Sequence, residues 1–275
     1  MKPNNFNYIQ PKTVTETLEI LEEFGEQAQI LAGGQSLIAM LNTKLSQPEI
    51  IIDINFLTDI ETIRLQDDIV SLGPNYRQLD FQNWKFLKAK LPLIYKVMPY
   101  VGHVQHRARG TVLGSICHGD PTSELPLCFI ILDGVIHLQS KNGIRKIKAK
   151  DFYLGPLSTV RKPNELAIKI DIPIQQKSER CAFYEISQKH ADYSIASFMA
   201  IEYNKKIKFG LGALTNTPLV FNYELVDLNK LDKILDDLCW DLEIDNDQHC
   251  SAFYKRDLIR NLGKKTILKC INKVL

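Results

Sequence analysis

No two cysteines in this chain stand at Cys-x-x-Cys spacing, although six are present: Cys117, Cys128, Cys181, Cys239, Cys250 and Cys270. That excludes a locally written zinc or iron–sulfur site and leaves the reading of free thiols in a reducing compartment. Neither sign of charge dominates. With 34 Lys and Arg against 32 Asp and Glu, there is no broad basic surface for nucleic acid or an anionic membrane. No apolar run is long enough to cross a bilayer, and the opening Met1-Lys2-Pro3-Asn4-Asn5-Phe6 lacks the apolar stretch of a signal peptide. These absences predict a cytoplasmic chain with no nucleic-acid partner and no membrane span. Internal repeats and low-complexity tracts are missing as well, which sets solenoids aside. What is present is an ordinary globular composition, 45% hydrophobic over 275 residues, enough to fill two cores.

Thr13, with Glu16 three residues on, reads as the cap of a helix whose apolar positions run through Leu18, Leu21 and Phe24 to Gly25. Gln29 to Ala32 reads as a short buried strand, Gly33-Gly34-Gln35-Ser36 as a turn, and Leu37 to Leu41 as a second helix. A strand at Ile50 to Ile54 closes this first module. Further strands are predicted at Ile69 to Leu72 and Ala167 to Ile172, and the polar run Gln175 to Arg180 reads as a linker. Beyond it the pattern predicts a strand at Cys181 to Ile186 and a helix at Ser194 to Ile201, then, after the segment Ile207 to Ala213, a helical tail from about Leu228 to Leu275.

Two segments are dense in residues that handle anions. A glycine pair after a strand lets successive backbone N–H groups form a concave nest for phosphate, and it is equally common as a plain tight turn. Ser36 can bond a phosphate or cap the following helix. The glycines are not spaced Gly-x-Gly-x-x-Gly, and no Lys-Ser or Lys-Thr follows them, so neither a dinucleotide fingerprint nor a Walker loop is present. The second segment runs from Arg107-Ala108-Arg109-Gly110-Thr111 through Gly114-Ser115 to His118-Gly119-Asp120 and Glu124-Leu125-Pro126, with carboxylates suited to ribose hydroxyls. His103, His106 and His118 find no third ligand at metal spacing, so no metal site is expected.

Taken together, Ala32-Gly33-Gly34-Gln35-Ser36-Leu37, Val101-Gly102-His103-Val104-Gln105, Arg109-Gly110-Thr111 and His118-Gly119-Asp120-Pro121 through Pro126 resemble, in order and spacing, one family. It is that of the FAD-binding medium subunits of the carbon monoxide dehydrogenase and xanthine dehydrogenase enzymes. Asp151-Phe152-Tyr153-Leu154-Gly155-Pro156 and Gln188 to Tyr193 extend the resemblance over nearly the whole chain. The resemblance implies an α+β fold. Residues 1–175 would form a two-subdomain FAD-binding fold of the vanillyl-alcohol-oxidase (PCMH) type, divided at about residue 55. Residues 176–275 would form a small α/β C-terminal domain of antiparallel sheet plus helices.

The same resemblance implies non-covalent FAD, with Leu31 among the cofactor-binding residues and the pyrophosphate on the loop of Ala32, Gly33, Gly34, Gln35 and Ser36. Thr111, Gly114 and Ser115 would belong to a second phosphate-side loop, with His118 and Asp120 nearby, Glu124 on the ribose and Tyr193 against the flavin ring. No catalytic acid or base is required. The implied partners are a molybdopterin-binding large subunit that takes two electrons from the substrate and a [2Fe-2S] small subunit that relays them singly. NAD, a quinone or another acceptor would receive them from the flavin. One position departs from the family pattern: Leu113 stands where a glycine is usual. A left-handed backbone there would cost leucine about 1–2 kcal/mol and weaken the second loop. That departure motivates a rival reading, a scaffold subunit that has lost FAD. A free-standing flavin oxidase is a second rival, without a base to support it.

Overall fold

The computed structural model describes residues 2–272. The first module is a three-stranded parallel sheet, ordered β1 (Asn7–Ile9), β3 (Ile50–Asp53), β2 (Ala28–Leu31). Helix α1 (Val14–Phe24) covers it because Leu18 and Leu21 fall on one face and pack against Ile52 and Ile54. Thr13 caps α1 by accepting from the Glu16 N–H, and Gly25 ends it at φ 50°. A short α2 (Leu37–Asn42) follows the glycine turn.

The second module has a five-stranded antiparallel sheet, ordered β4 (Ile63–Gln66), β5 (Ile69–Leu72), β10 (Leu166–Pro173), β6 (Val135–Ser140), β7 (Gly143–Lys148). Helices α3 (Gln78–Gln82), α4 (Leu87–Lys90), α5 (Pro92–Val97), α6 (Val104–Arg109), α7 (Val112–His118) and α8 (Glu124–Ile131) fall between β5 and β6. Their apolar side chains share one core with the sheet, centred on Phe81, Val97, Phe129 and Ile136. A small hairpin, β8 (Tyr153–Gly155) with β9 (Ser158–Thr159), projects beside α7.

The last sheet is an antiparallel meander of β11 (Arg180–Ser187), β12 (Ser194–Tyr203), β13 (Lys206–Gly212) and β14 (Leu219–Glu224). The segment Ser194 to Ile201, expected to be helical, is therefore a central strand. Its periodicity misleads because both faces are covered: Ala196, Phe198 and Ala200 pack among the C-terminal helices, while Met199 and Ile201 join the core of the second module. The expected helical tail is broken into α9 (Leu231–Asp241), α10 (Ala252–Leu258) and α11 (Lys264–Cys270), with a π-type turn at Ile259–Gly263. Its final residues, 273–275, lie outside the described residues. Gln175, at the head of the expected linker, is buried, and its side chain accepts from the Leu93 N–H at 2.8 Å.

Helix α8 approaches β13 closely because Gly210 leaves room. A Cβ there would lie 2.9 Å from Leu127 Cδ1 and 3.3 Å from Ile131 Cδ1. Overpacking a seam of this kind costs about 1–3 kcal/mol. Gly210→Val is expected to lower unfolding stability by that amount in chemical denaturation.

Candidate cofactor site

A cleft of about 530 Å³ opens between the glycine turn after β2, the start of α7, the β8–β9 hairpin and the turn before β12. Its wall is built where two backbones meet. Gly33 has no space for a side chain: a Cβ would lie 2.6 Å from the Arg109 carbonyl oxygen and 2.7 Å from Gly110 Cα. Gly34 has φ +73°, which a side chain rarely adopts. The two glycines thus do different jobs, one admitting the second loop and the other turning the chain.

That turn leaves donors unused. Among the described residues, the N–H groups of Gly33, Gly34, Gln35 and Ser36 donate to no backbone acceptor. Ser36 precedes α2 without making a side-chain cap, so the capping alternative is removed and its hydroxyl stays free beside them. Ala32 completes this wall, and its carbonyl accepts from Asn55 Nδ2 at 2.8 Å.

Thr111, Gly114 and Ser115 line the opposite wall, as the first turn of α7 and not as the loop that was expected. Thr111 Oγ1 accepts from the Gly114 N–H at 3.0 Å, and a Cβ on Gly114 would lie 2.6 Å from that oxygen. Leu113 is right-handed and helical here, 2% exposed, with its side chain in the core of the second module. The anticipated backbone strain at Leu113 is absent, because a helix at this point asks for no left-handed residue.

His118 closes α7 and lines the cleft. Burial holds its pKa below the usual histidine value against the opposing charge of Asp120, which favours a neutral ring. Asp120 also lines the cleft, and its Oδ1 accepts from the Thr122 N–H at 2.8 Å and the Thr122 hydroxyl at 2.6 Å. One carboxylate oxygen is thereby committed to the turn. Tyr193 is 71% exposed at the cleft, which rules out its being a packed core tyrosine.

Two expected residues lie elsewhere. Leu31 sits beneath the turn, its Cδ1 3.2 Å from where a Gly34 Cβ would stand. Glu124 is buried at the first turn of α8, off the cleft wall, beside Glu185 of β11. Burial, then the charge of Glu185, pushes the Glu124 carboxyl well above the carboxylate range. Burial pushes Glu185 to about 7, and neither of its oxygens has a hydrogen-bonding partner among the described residues. The charged groups bearing on the pair are Asp120 before α8 and each other. Among these no cation appears, so the pair is stable when it keeps a proton.

The sequence reading missed Leu157, Ser158, Thr159 and Arg161, which reach the cleft from the β8–β9 hairpin. The Asp151 to Pro156 motif just before them was the available signal. It also missed Gln78, and Arg77 with Asn55 behind the loops, for which no local pattern exists.

The family described as the FAD binding domain in molybdopterin dehydrogenase matches residues 4–175. The chain belongs to this family of FAD-binding molybdenum hydroxylase subunits. It is 31% identical to the glyceraldehyde dehydrogenase medium chain of Sulfolobus acidocaldarius, over 96% of this chain and 98% of that one. It is 32% identical to the carbon monoxide dehydrogenase medium chain of Afipia carboxidovorans, over 80% and 78%. In structure it superposes on a chain of reconstituted CO dehydrogenase from Oligotropha carboxidovorans with a TM-score of 0.92, at 27% identity and full coverage of both. This medium subunit is therefore an oxidoreductase component built on a PCMH-type FAD-binding fold, and its cofactor is FAD.

Because Leu113 fills the core, Leu113→Gly is expected to destabilise the medium subunit by about 2–5 kcal/mol for the lost side chain, with about 1 kcal/mol more for glycine in a helix. Thermal denaturation and flavin-fluorescence titration should show a lower melting temperature and no tighter FAD. The carboxyl pair has a pH signature. Unfolded Glu185 releases its proton near 4.5, whereas the folded side chain keeps it to about 7. The unfolded state therefore holds fewer protons across that window, and the stability contributed by Glu185 falls as pH rises through it. Glu185→Gln should flatten the melting-temperature profile between pH 4.5 and 7 and raise it at pH 8.

Proposed function

We propose that this chain is the FAD-carrying electron-transfer subunit of a molybdenum-containing hydroxylase, passing electrons from iron–sulfur clusters to an external acceptor. The single observation that supports it most directly is the row of unused N–H groups at Gly33 to Ser36, set across a narrow cleft from the N-terminal turn of α7. Unused donors along one concave wall fit an anion, and a diphosphate held there faces the first turn of α7 across the cleft. In this reading the glycine turn and Thr111 to Ser115 hold the pyrophosphate, His118 and Asp120 bond the sugar side, and exposed Tyr193 covers one face of the flavin ring.

Bound FAD would supply the chemistry that collects electrons arriving one at a time and delivers them to the acceptor. The chain's own residues grip, orient and shield it. No side chain is required as acid or base, which fits a His118 held neutral by burial. Residues 1–175 would carry FAD, and 176–275 would close the ring end of the cleft through the turn bearing Tyr193. The partners in this reading are a molybdopterin-binding large subunit and a [2Fe-2S] small subunit, with NAD, a quinone or another compound as acceptor. The related CO dehydrogenase of Hydrogenophaga pseudoflava, whose structure is described as lacking the Mo-pyranopterin moiety of its molybdenum cofactor, has a chain that superposes with a TM-score of 0.90.

The purified protein should be yellow, release all its flavin on acid precipitation, and carry two further chains with it. Gly34→Val should lose FAD while keeping its far-ultraviolet circular dichroism, since the change strains a positive-φ turn and presses only on the neighbouring Leu31 and Ile38 side chains. A flavin-bearing Gly34→Val protein, or a pellet that stays yellow, would contradict the non-covalent nest.

A further inference from the structure

Behind the cleft, out of its lining, Arg77 joins its two walls. Arg77 Nη1 donates to the Arg109 carbonyl at 2.5 Å, and Nη2 donates to Asn55 Oδ1 at 2.6 Å. Asn55 Nδ2 in turn donates to the Ala32 carbonyl at 2.8 Å and to Asp53 Oδ1 at 2.6 Å, and Asp53 accepts from Tyr8. One guanidinium thus reaches the backbone of the 109–111 segment directly and that of the glycine turn through a single side chain. The main chain adds to this. Arg77 forms an isolated antiparallel bridge with Thr111, in which Gln78 N–H donates to the Gly110 carbonyl at 2.9 Å and Val112 N–H donates to the Tyr76 carbonyl at 3.1 Å.

The Arg109 carbonyl is the atom that a Gly33 Cβ would strike first, at 2.6 Å. It is an acceptor dipole placed hard against the nest, where an anion would meet unfavourable charge. Arg77 engages that oxygen from the other side. Among the described residues Arg77 makes no ion pair: burial and the Arg109 charge work against its cation, and Asp80 and Asp53 support it only from a distance. A half-buried cation with no contacting carboxylate retains its charge for something else, and a planar fork serves two acceptors in fixed geometry where a lysine serves one.

We propose that Arg77 is a positioning residue for the diphosphate of FAD: it locks the two backbone walls in register, takes up the Arg109 carbonyl, and leaves an unpaired positive charge behind them. This rests on the reading of those walls as the phosphate site. Its consequence is that loss of Arg77 affects ligands bearing the diphosphate and spares the flavin ring.

The test uses the full chain in its assembled form, stripped of flavin, with FAD and riboflavin binding measured by fluorescence and ADP by competition. Arg77→Gln is expected to weaken FAD about tenfold or more, the worth of one charged hydrogen bond. ADP should weaken by the same factor, riboflavin should not change, and the salt dependence of FAD binding should flatten. Arg77→Lys should recover the salt dependence and only part of the affinity. If Arg77→Gln fails to fold, Asn55→Ala cuts the same link while keeping the charge, and should weaken FAD and ADP together with riboflavin spared. Unchanged FAD affinity in Arg77→Gln, while Gly34→Val loses FAD, overturns the role of Arg77 alone. FAD retained in both overturns the phosphate-site reading beneath it. Equal weakening of riboflavin and FAD assigns Arg77 to the fold and also overturns the proposal.

Discussion

Gly33 lies against the backbone of Arg109, Gly110 and Thr111 at a distance that admits no side-chain atom, and most of what this chain does depends on that contact. It brings a turn of the parallel sheet to the first turn of α7, although 78 residues separate Gly33 from Thr111 in sequence. Close approach fixes the depth of the cleft. It also consumes no N–H group of the glycine turn, so the donors of Gly33 to Ser36 stay available. A tight contact made by backbone atoms alone is stiff, because it has no rotamers to relax, and stiffness is what a site that must pre-orient a cofactor needs.

The surroundings hold this contact from several directions. Arg77 and Asn55 tie both partners from behind, Gln78 Nε2 reaches the Thr111 carbonyl at 3.3 Å, and Thr111 caps its own helix. Leu113, Ile116 and Phe129 anchor α7 and α8 in a common core. On the far side the meander packs on α8 across Gly210, and its turn delivers Tyr193 to the open end of the cleft. The buried Glu124 and Glu185 carboxyls sit in that seam, where keeping their protons removes the cost of two facing charges.

Much of this was legible in the residues. The helix from Thr13 to Gly25 was readable because its cap, its apolar face and its stop are all local. The glycine turn, Thr111, His118, Asp120 and Tyr193 were marked by a motif whose members the fold gathers on one cleft. Other parts were not legible. Ser194 to Ile201 reads as a helix because burial on both faces erases the alternation that announces a strand. Leu113 looked strained only because a motif says which residue is usual and not which backbone conformation it adopts.

By itself the sequence determined the elements with local signals, the family and its cofactor, and the residue types that meet an anion. Tertiary structure alone decided which partner each of those residues has. Gly33 is needed for a contact with a segment distant in the chain, Glu124 faces a second carboxyl and not the cleft, and Arg77 spans two modules that no spacing rule connects. The physical reason is range. Caps, turns and amphipathic faces depend on neighbours within about four residues, whereas close backbone approach, desolvation and the pairing of buried charges depend on what the rest of the fold brings into contact.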